Sequence, residues 1–143
     1  MLAGARMALM CAIGAVDARE RRLPNALAAA FAALCALEAL AARGAETCAQ
    51  NALAALVVCG ALLGFELLWR AVHGGAAGMG MGDVKYLFAL MLLDPAFGLV
   101  SFTGGLALLA FSGAVVRAKS LPLLPFAVMS YMGMVAAAAL LMA

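Results

Sequence analysis

The sequence predicts an all-α polytopic membrane bundle of about six transmembrane helices, built as a single domain over residues 1–143. Hydrophobic residues make up 69% of the chain and charged residues only 11%. The mean hydropathy is +1.14, well above that of a domain with a polar surface. Apolar runs of span length also alternate with short polar or glycine-rich breaks. We therefore expect the lipid bilayer to be a partner of the whole chain.

The first two apolar runs are residues 1–16 and 24–42. Residues 1–16 resemble a signal peptide, since Arg6 precedes an apolar stretch, but a dense cluster of charges follows at once, as at a cytoplasmic flank. We therefore expect an uncleaved first span of about 24 Å. Pro24 suits the first turn of the second helix. The charges of the flank are Asp17, Arg19, Glu20, Arg21 and Arg22.

The middle of the chain alternates between polar, apolar and glycine-rich segments. Residues 43–50 form a predicted polar hairpin loop, and residues 51–72 a third span. Residues 73–82 contain too many glycines for a continuous helix, because each carries a large backbone entropy cost. A fourth, short span begins at Asp83.

The last third of the chain contains two further predicted spans. Asp94 and Pro95 interrupt the fourth span after some ten residues. A fifth span covers residues 96–116 and a basic loop residues 117–120. The proline-containing segment 121–126 leads into the last span.

The basic residues predict the orientation of these spans, because cytoplasmic flanks collect Lys and Arg. If the loop after Asp17 is cytoplasmic, seven of the nine basic residues lie on that side and only Arg6 and Arg43 outside. Asp17 then ends the first span at the same cytoplasmic depth at which Asp83 begins the fourth. The seven are Arg19, Arg21, Arg22, Arg70, Lys85, Arg117 and Lys119.

Two acids at one depth can form a catalytic pair if their spans pack together. Adjacent carboxylates that share one proton supply a general base and a general acid to the same water molecule. Gly80 and Gly82 leave room for a substrate or a neighbouring helix beside Asp83. Helix dipoles predict that Asp83, near a helix N-terminus, is the resting base, and that Asp17, near a C-terminus, is the resting acid.

Other interpretations of these acids stay open at this point. Asp17 could cap a helix or pair with a nearby arginine, and Glu38 and Glu66 are expected to be tolerated acids near helix ends. An alternative function is a small non-catalytic transporter or assembly subunit, in which Asp17 and Asp83 bind protons or ions.

Two motifs resemble those of the prepilin peptidases, integral-membrane aspartic proteases of the GxGD type. The first is Asp17 followed by a basic stretch and Leu-Pro-Asn, which ends at Asn25. The second is Gly-Met-Gly-Asp-Val-Lys, residues 80–85. Both occur in the family's order. Tyr86 stands where the family usually has a small or aliphatic residue.

The resemblance implies that Asp17 and Asp83 are catalytic and cleave a basic leader from type IV pilin-like, pseudopilin or Flp-type precursors. It places the active site at the cytoplasmic face of the bacterial inner membrane. It also implies that further residues shape the site or bind substrate, namely Gly80, Gly82, Lys85, Pro24 and Asn25.

Several activities are not expected. No basic face with interleaved aromatic residues suggests nucleic-acid binding. His73 has no partner at the spacing of metal ligands, so we expect neither a metal nor another cofactor. The four cysteines form no CxxC pair and are interpreted as packing residues. Since larger family members carry a cysteine-paired insert with their methyltransferase activity, we predict a peptidase without that activity.

Overall fold

All regular structure in the computed structural model, which describes residues 2–75, 79–117 and 121–142, is α-helical. The all-α prediction is therefore confirmed for these residues. Residues 76–78 of the glycine-rich segment and Lys119 of the basic loop lie outside the described residues. The helices are α1 (Leu2–Glu20), α2 (Asn25–Val72), α3 (Met81–Leu93), α4 (Pro95–Val116) and α5 (Leu124–Leu141).

Proline, glycine and aspartate residues stand at the starts of α2, α3 and α4. Pro24 directly precedes α2, with φ −58° and ψ 138°, rather than lying inside its first turn. Gly80 stands in extended backbone before α3. Asp94 separates α3 from α4 and accepts a hydrogen bond from the Phe97 N–H at 3.0 Å, as an N-cap does.

The predicted loop over residues 43–50 is wrong except at one position. Helix α2 contains a single non-helical residue, Gly44, with φ 84° and ψ 174°. The Sγ atom of Cys48 lies 3.8 Å from the carbonyl oxygen of Ala36, whereas a straight helix would separate them by about 18 Å. The chain therefore reverses at Gly44 and resumes its helix at once, because the flanking residues favour helix.

The two arms of α2 pack against α3. The buried Asn51 amide donates to the carbonyl oxygens of Leu92 and Leu93, at 3.1 and 3.0 Å. It thereby satisfies acceptors that the end of α3 leaves unpaired. Nearer the other end of α3, Tyr86 stacks on Phe31 with ring centroids 5.4 Å apart. The large side chain of Tyr86 thus belongs to the core.

Three helices of the described chain, α2, α4 and α5, are long and apolar enough to cross a membrane. Their outward side chains include Phe65 and Phe111, which are 64% and 71% exposed, as expected for a surface in contact with lipid. The predicted count of about six spans is not confirmed. Helix α3 has only 13 residues, which reach about 20 Å, less than the hydrocarbon thickness.

A second polar cluster lies at the end of α1 away from Asp17, about 16 Å along the helix. Arg6, only 6% exposed, donates to Glu38 at 2.8 Å and also to the Tyr131 hydroxyl. Glu38 is thus an ion-paired residue that joins α1 to α2, and Tyr131 joins them to α5. The arginine stays buried because its charge is paired.

Close packing of α4 on α5 depends on Gly105. A Cβ atom at this position would lie 2.6 Å from the Ala127 Cα and 2.8 Å from its backbone nitrogen. We expect Gly105→Ala to destabilise the protein by roughly 1–3 kcal/mol, because the backbone of α5 must move. Gly60→Ala is the control, since a Cβ there meets nothing within 4 Å. Thermal unfolding of both variants in detergent measures the difference; equal melting temperatures would contradict the expectation.

Candidate active site

Asp17 lies in the last turns of α1 and is held from across the bundle. It is 7% exposed, and its Oδ2 accepts a hydrogen bond from the Leu124 N–H at 3.1 Å. Leu124 is the first residue of α5. Its N–H is one of the donors that a helix leaves unpaired at its start, and such donors favour an anion.

Asp83 lies in the first turn of α3, and its carboxylate folds back over Gly80. A Cβ at Gly80 would lie 2.7 Å from Oδ2 of Asp83, and the Gly80 N–H donates to this carboxylate. Gly82 faces the linker between α1 and α2, where a Cβ would lie 3.2 Å from Cβ of Leu23. The space beside both glycines is therefore filled by the protein itself rather than left for a substrate.

Asp17 and Asp83 line the same cavity, of about 520 Å³. Its walls come from the end of α1 and the linker to α2, the start of α3 with the residues before it, part of α4, and the residues before α5. The structure thus brings together the two acids predicted from sequence, which are 66 positions apart. The remaining lining residues are Arg21, Arg22, Leu23, Met79, Gly80, Met81, Gly82, Leu106, Leu109, Leu121, Pro122 and Leu123.

Lys85 and Asn25 lie in a neighbouring cavity rather than with the acids. The Lys85 Nζ donates to the Asn25 Oδ1 at 2.6 Å. Both residues line a groove of about 630 Å³ between the arms of α2 and α3, which is otherwise apolar. Met81 lines both cavities, so the groove adjoins the acid cavity. Pro24 lines neither cavity and stands at the end of the α1–α2 linker, directly before α2.

The two acids differ in electrostatic environment. Both lie outside the three helices long enough to span a membrane. Burial raises the pKa of Asp17, and this effect is larger than that of the Leu124 N–H, which lowers the pKa. The pKa of Asp83 is raised to about 6, mainly by burial and secondly by the charge of Asp17, although the Gly80 N–H lowers it. The charge of Asp17 adds to desolvation at Asp83, so these shifts favour a proton on Asp83, whereas the helix dipoles taken alone favour a proton on Asp17.

Coupling between the acids is testable in the Asp17→Asn variant. We expect the pKa of Asp83 to fall below its value of about 6, because a neutral side chain at position 17 no longer disfavours a second negative charge. The chain has three aspartates, so ¹³C-carboxyl NMR of labelled protein resolves each titration. An unchanged Asp83 titration would show that the two acids do not interact.

Glu66 was expected to be a tolerated edge acid, but the structure places it next to the site. It is 5% exposed and binds both Arg70 of its own helix and the backbone of Met79. The ion pair could have been expected from the sequence, because Glu66 and Arg70 are four residues apart in a predicted helix. No sequence pattern indicated the bond to Met79, nor the bond between Asp17 and Leu124.

Metal ligation has no support in residues 2–75, 79–117 and 121–142, where no three His, Cys, Asp or Glu side chains are grouped as metal ligands.

The fold and the cavity together define an apolar helical membrane protein with a pair of carboxyl groups at one end. A sequence profile described as the type IV leader peptidase family matches residues 5–143. The chain belongs to the type IV leader peptidase family, which confirms the resemblance noted above. It is therefore a leader-peptidase-type protease, whose general substrate class is a pilin-like precursor. Comparisons with curated proteins and with solved structures gave no match.

Proposed function

We propose that this protein is an aspartic endopeptidase that removes the basic leader from type IV pilin-like or Flp-type precursors. The observation that carries this proposal is that Asp17 and Asp83, from separate helices, line one cavity. Family membership supports the peptidase activity, and the carboxyl pair supports its aspartic class. In this proposal residues 1–143 form one peptidase domain without methyltransferase activity.

The hydrogen bonds and pKa shifts favour one assignment of roles. The Asp17 carboxylate, stabilised as an anion by the Leu124 N–H, takes a proton from water as the water oxygen attacks the scissile carbonyl carbon. Asp83, whose pKa is raised to about 6 by burial and the nearby anion, donates a proton to the carbonyl oxygen in the molecules in which it is protonated. A tetrahedral diol results, and Asp17 now carries the water proton.

Collapse of the diol completes the reaction. Asp17 gives its proton to the amide nitrogen, the C–N bond breaks, and a diol hydroxyl returns its proton to Asp83. The leader leaves with a new carboxyl group and the mature precursor with a new amine. Each acid thus returns to its starting state, so no further proton donor is required.

The neighbouring groove is the proposed place for apolar parts of the substrate. Small side chains on the α2 arms, including Ala28, Ala32 and Gly60, line it, and such residues permit close helix approach in a bilayer. In this proposal Lys85 and Asn25 bind polar groups of the precursor at the groove. Pro24, Gly80 and Gly82 shape the site by fixing the linker and the approach to Asp83.

The site is proposed to face the cytoplasm from the bacterial inner membrane. The support is the bias of basic residues, since Arg21 and Arg22 line the acid cavity whereas Arg6 and Arg43 belong to the opposite polar end.

Co-expression with candidate pilin precursors from the same genome tests the function. We expect a size shift of the cognate precursor, with mass spectrometry locating the cut between the basic leader and the following apolar segment. Precursors that all remain intact beside inserted, folded protein would contradict the proposal. That result would favour the alternative in which the acids only bind protons or ions.

A further inference from the structure

Glu66 is a buried carboxylate that joins the end of α2 to the backbone leading into α3. Its Oε2 accepts a hydrogen bond from the Met79 N–H at 2.8 Å. Its Oε1 accepts one from Nε of Arg70 at 2.7 Å. The Glu66 side chain is 6% exposed, while that of Arg70 is 40% exposed. One oxygen therefore faces the arginine and the other holds the backbone of Met79.

The bond to Met79 connects Glu66 to Asp83 through two adjacent residues, Met79 and Gly80. Met79 precedes Gly80, whose carbonyl oxygen accepts from the Asp83 N–H at 3.1 Å. The Gly80 N–H in turn donates to the Asp83 carboxylate. Met79 and Gly80 both line the acid cavity. A shift of Met79 would therefore move the peptide unit on which the Asp83 carboxylate rests.

We propose that Glu66 is a positioning residue for Asp83. It does not touch the reacting atoms; it fixes the Met79–Gly80 backbone so that the Asp83 carboxyl points into the cavity. Arg70 in turn holds the Glu66 carboxylate in the orientation that reaches Met79. This role rests on the proposed function, in which Asp83 is a catalytic acid.

A purely structural ion pair would have a different signature. An Arg–Glu pair four residues apart on one helix stabilises that helix and needs no bond to another segment. Glu38, paired with Arg6 of another helix at 2.8 Å, is the control at the opposite end of the bundle, because it belongs to a largely buried ion pair far from the acid cavity. Its removal should weaken the fold without reaching the acid cavity.

The test compares Glu66→Ala, Glu66→Gln and Glu38→Ala for kcat and KM of precursor cleavage by the full chain in detergent. For Glu66→Ala we expect kcat per folded molecule to fall about 100-fold with KM nearly unchanged, because misplacing a catalytic group by about 1 Å has that effect. Glu66→Gln keeps an oxygen acceptor and should recover most of the loss. Glu38→Ala should lower the melting temperature and leave kcat within about twofold.

Hydrogen exchange of the Met79 amide supplies a readout that does not need activity. We expect faster exchange in Glu66→Ala, and protection close to wild type in Glu66→Gln and Glu38→Ala. Wild-type kcat in Glu66→Ala, or equal kcat losses in Glu66→Ala and Glu38→Ala, would overturn the positioning role. If the wild-type protein cuts no precursor, the proposed function fails, and unchanged Met79 exchange in Glu66→Ala would overturn the positioning role separately.

Discussion

Cleavage of the precursor is expected to fall by at least about 10³-fold when either Asp17 or Asp83 is replaced by asparagine. Each acid performs a proton transfer that an amide cannot perform, and such transfers contribute about 10²- to 10⁴-fold each. The folds should survive, because an asparagine oxygen still accepts from the Leu124 N–H at position 17 and from the Gly80 N–H at position 83. The measurement is the initial rate of precursor trimming by purified variants.

Asp94→Asn is the control for this substitution. Asp94 lies at the opposite end of α3, caps α4 and pairs with Arg43 at 3.0 Å. Asparagine is as good an N-cap as aspartate, so activity should stay within about twofold of wild type. Trimming at the wild-type rate by Asp17→Asn or Asp83→Asn would rule out the two-acid mechanism.

Gly80→Ala is expected to lower kcat about 100-fold while leaving thermal stability close to wild type. The backbone at Gly80, φ −72° and ψ 133°, suits alanine. The new Cβ would, however, lie 2.7 Å from Oδ2 of Asp83, so the carboxylate must rotate away from its position. A displacement of about 1 Å at a catalytic group has an effect of this size.

Gly64→Ala separates this effect from the general consequence of adding a methyl group. Gly64 lies in α2, where a Cβ meets nothing within 4 Å, and alanine favours helix there. Kinetics and melting temperatures of both variants should be measured on the same precursor. Full activity of Gly80→Ala would show that Asp83 does not act from the position in the structure.

The helical class and most helix boundaries follow from local chemistry. Pro24 and the Asp94–Pro95 pair interrupt helical structure, since proline lacks an N–H and aspartate caps the next helix. The reversal at Gly44 does not follow from local chemistry in the same way. Its neighbours looked like a polar loop, yet they favour helix, and one glycine with a positive φ suffices for the reversal.

The two acids of the candidate site could be predicted from the sequence, but the residues around them could not. Asp17 and Asp83 could be paired because each is an ionisable residue at the same predicted depth. The partners Leu124 and Met79 contribute backbone N–H groups, which every residue has, so no side-chain pattern marks them. These partners could be identified only from the way α5 and the segment before α3 pack against the rest of the protein.

The sequence by itself determined a helical membrane protein with two acids at one end, because composition and charge placement act locally along the chain. The tertiary structure alone decided how the environments of the two acids differ and what fills the space beside Gly80 and Gly82. It also decided that Glu66 reaches Met79. These properties depend on burial and on distances between segments remote in sequence, and packing sets both.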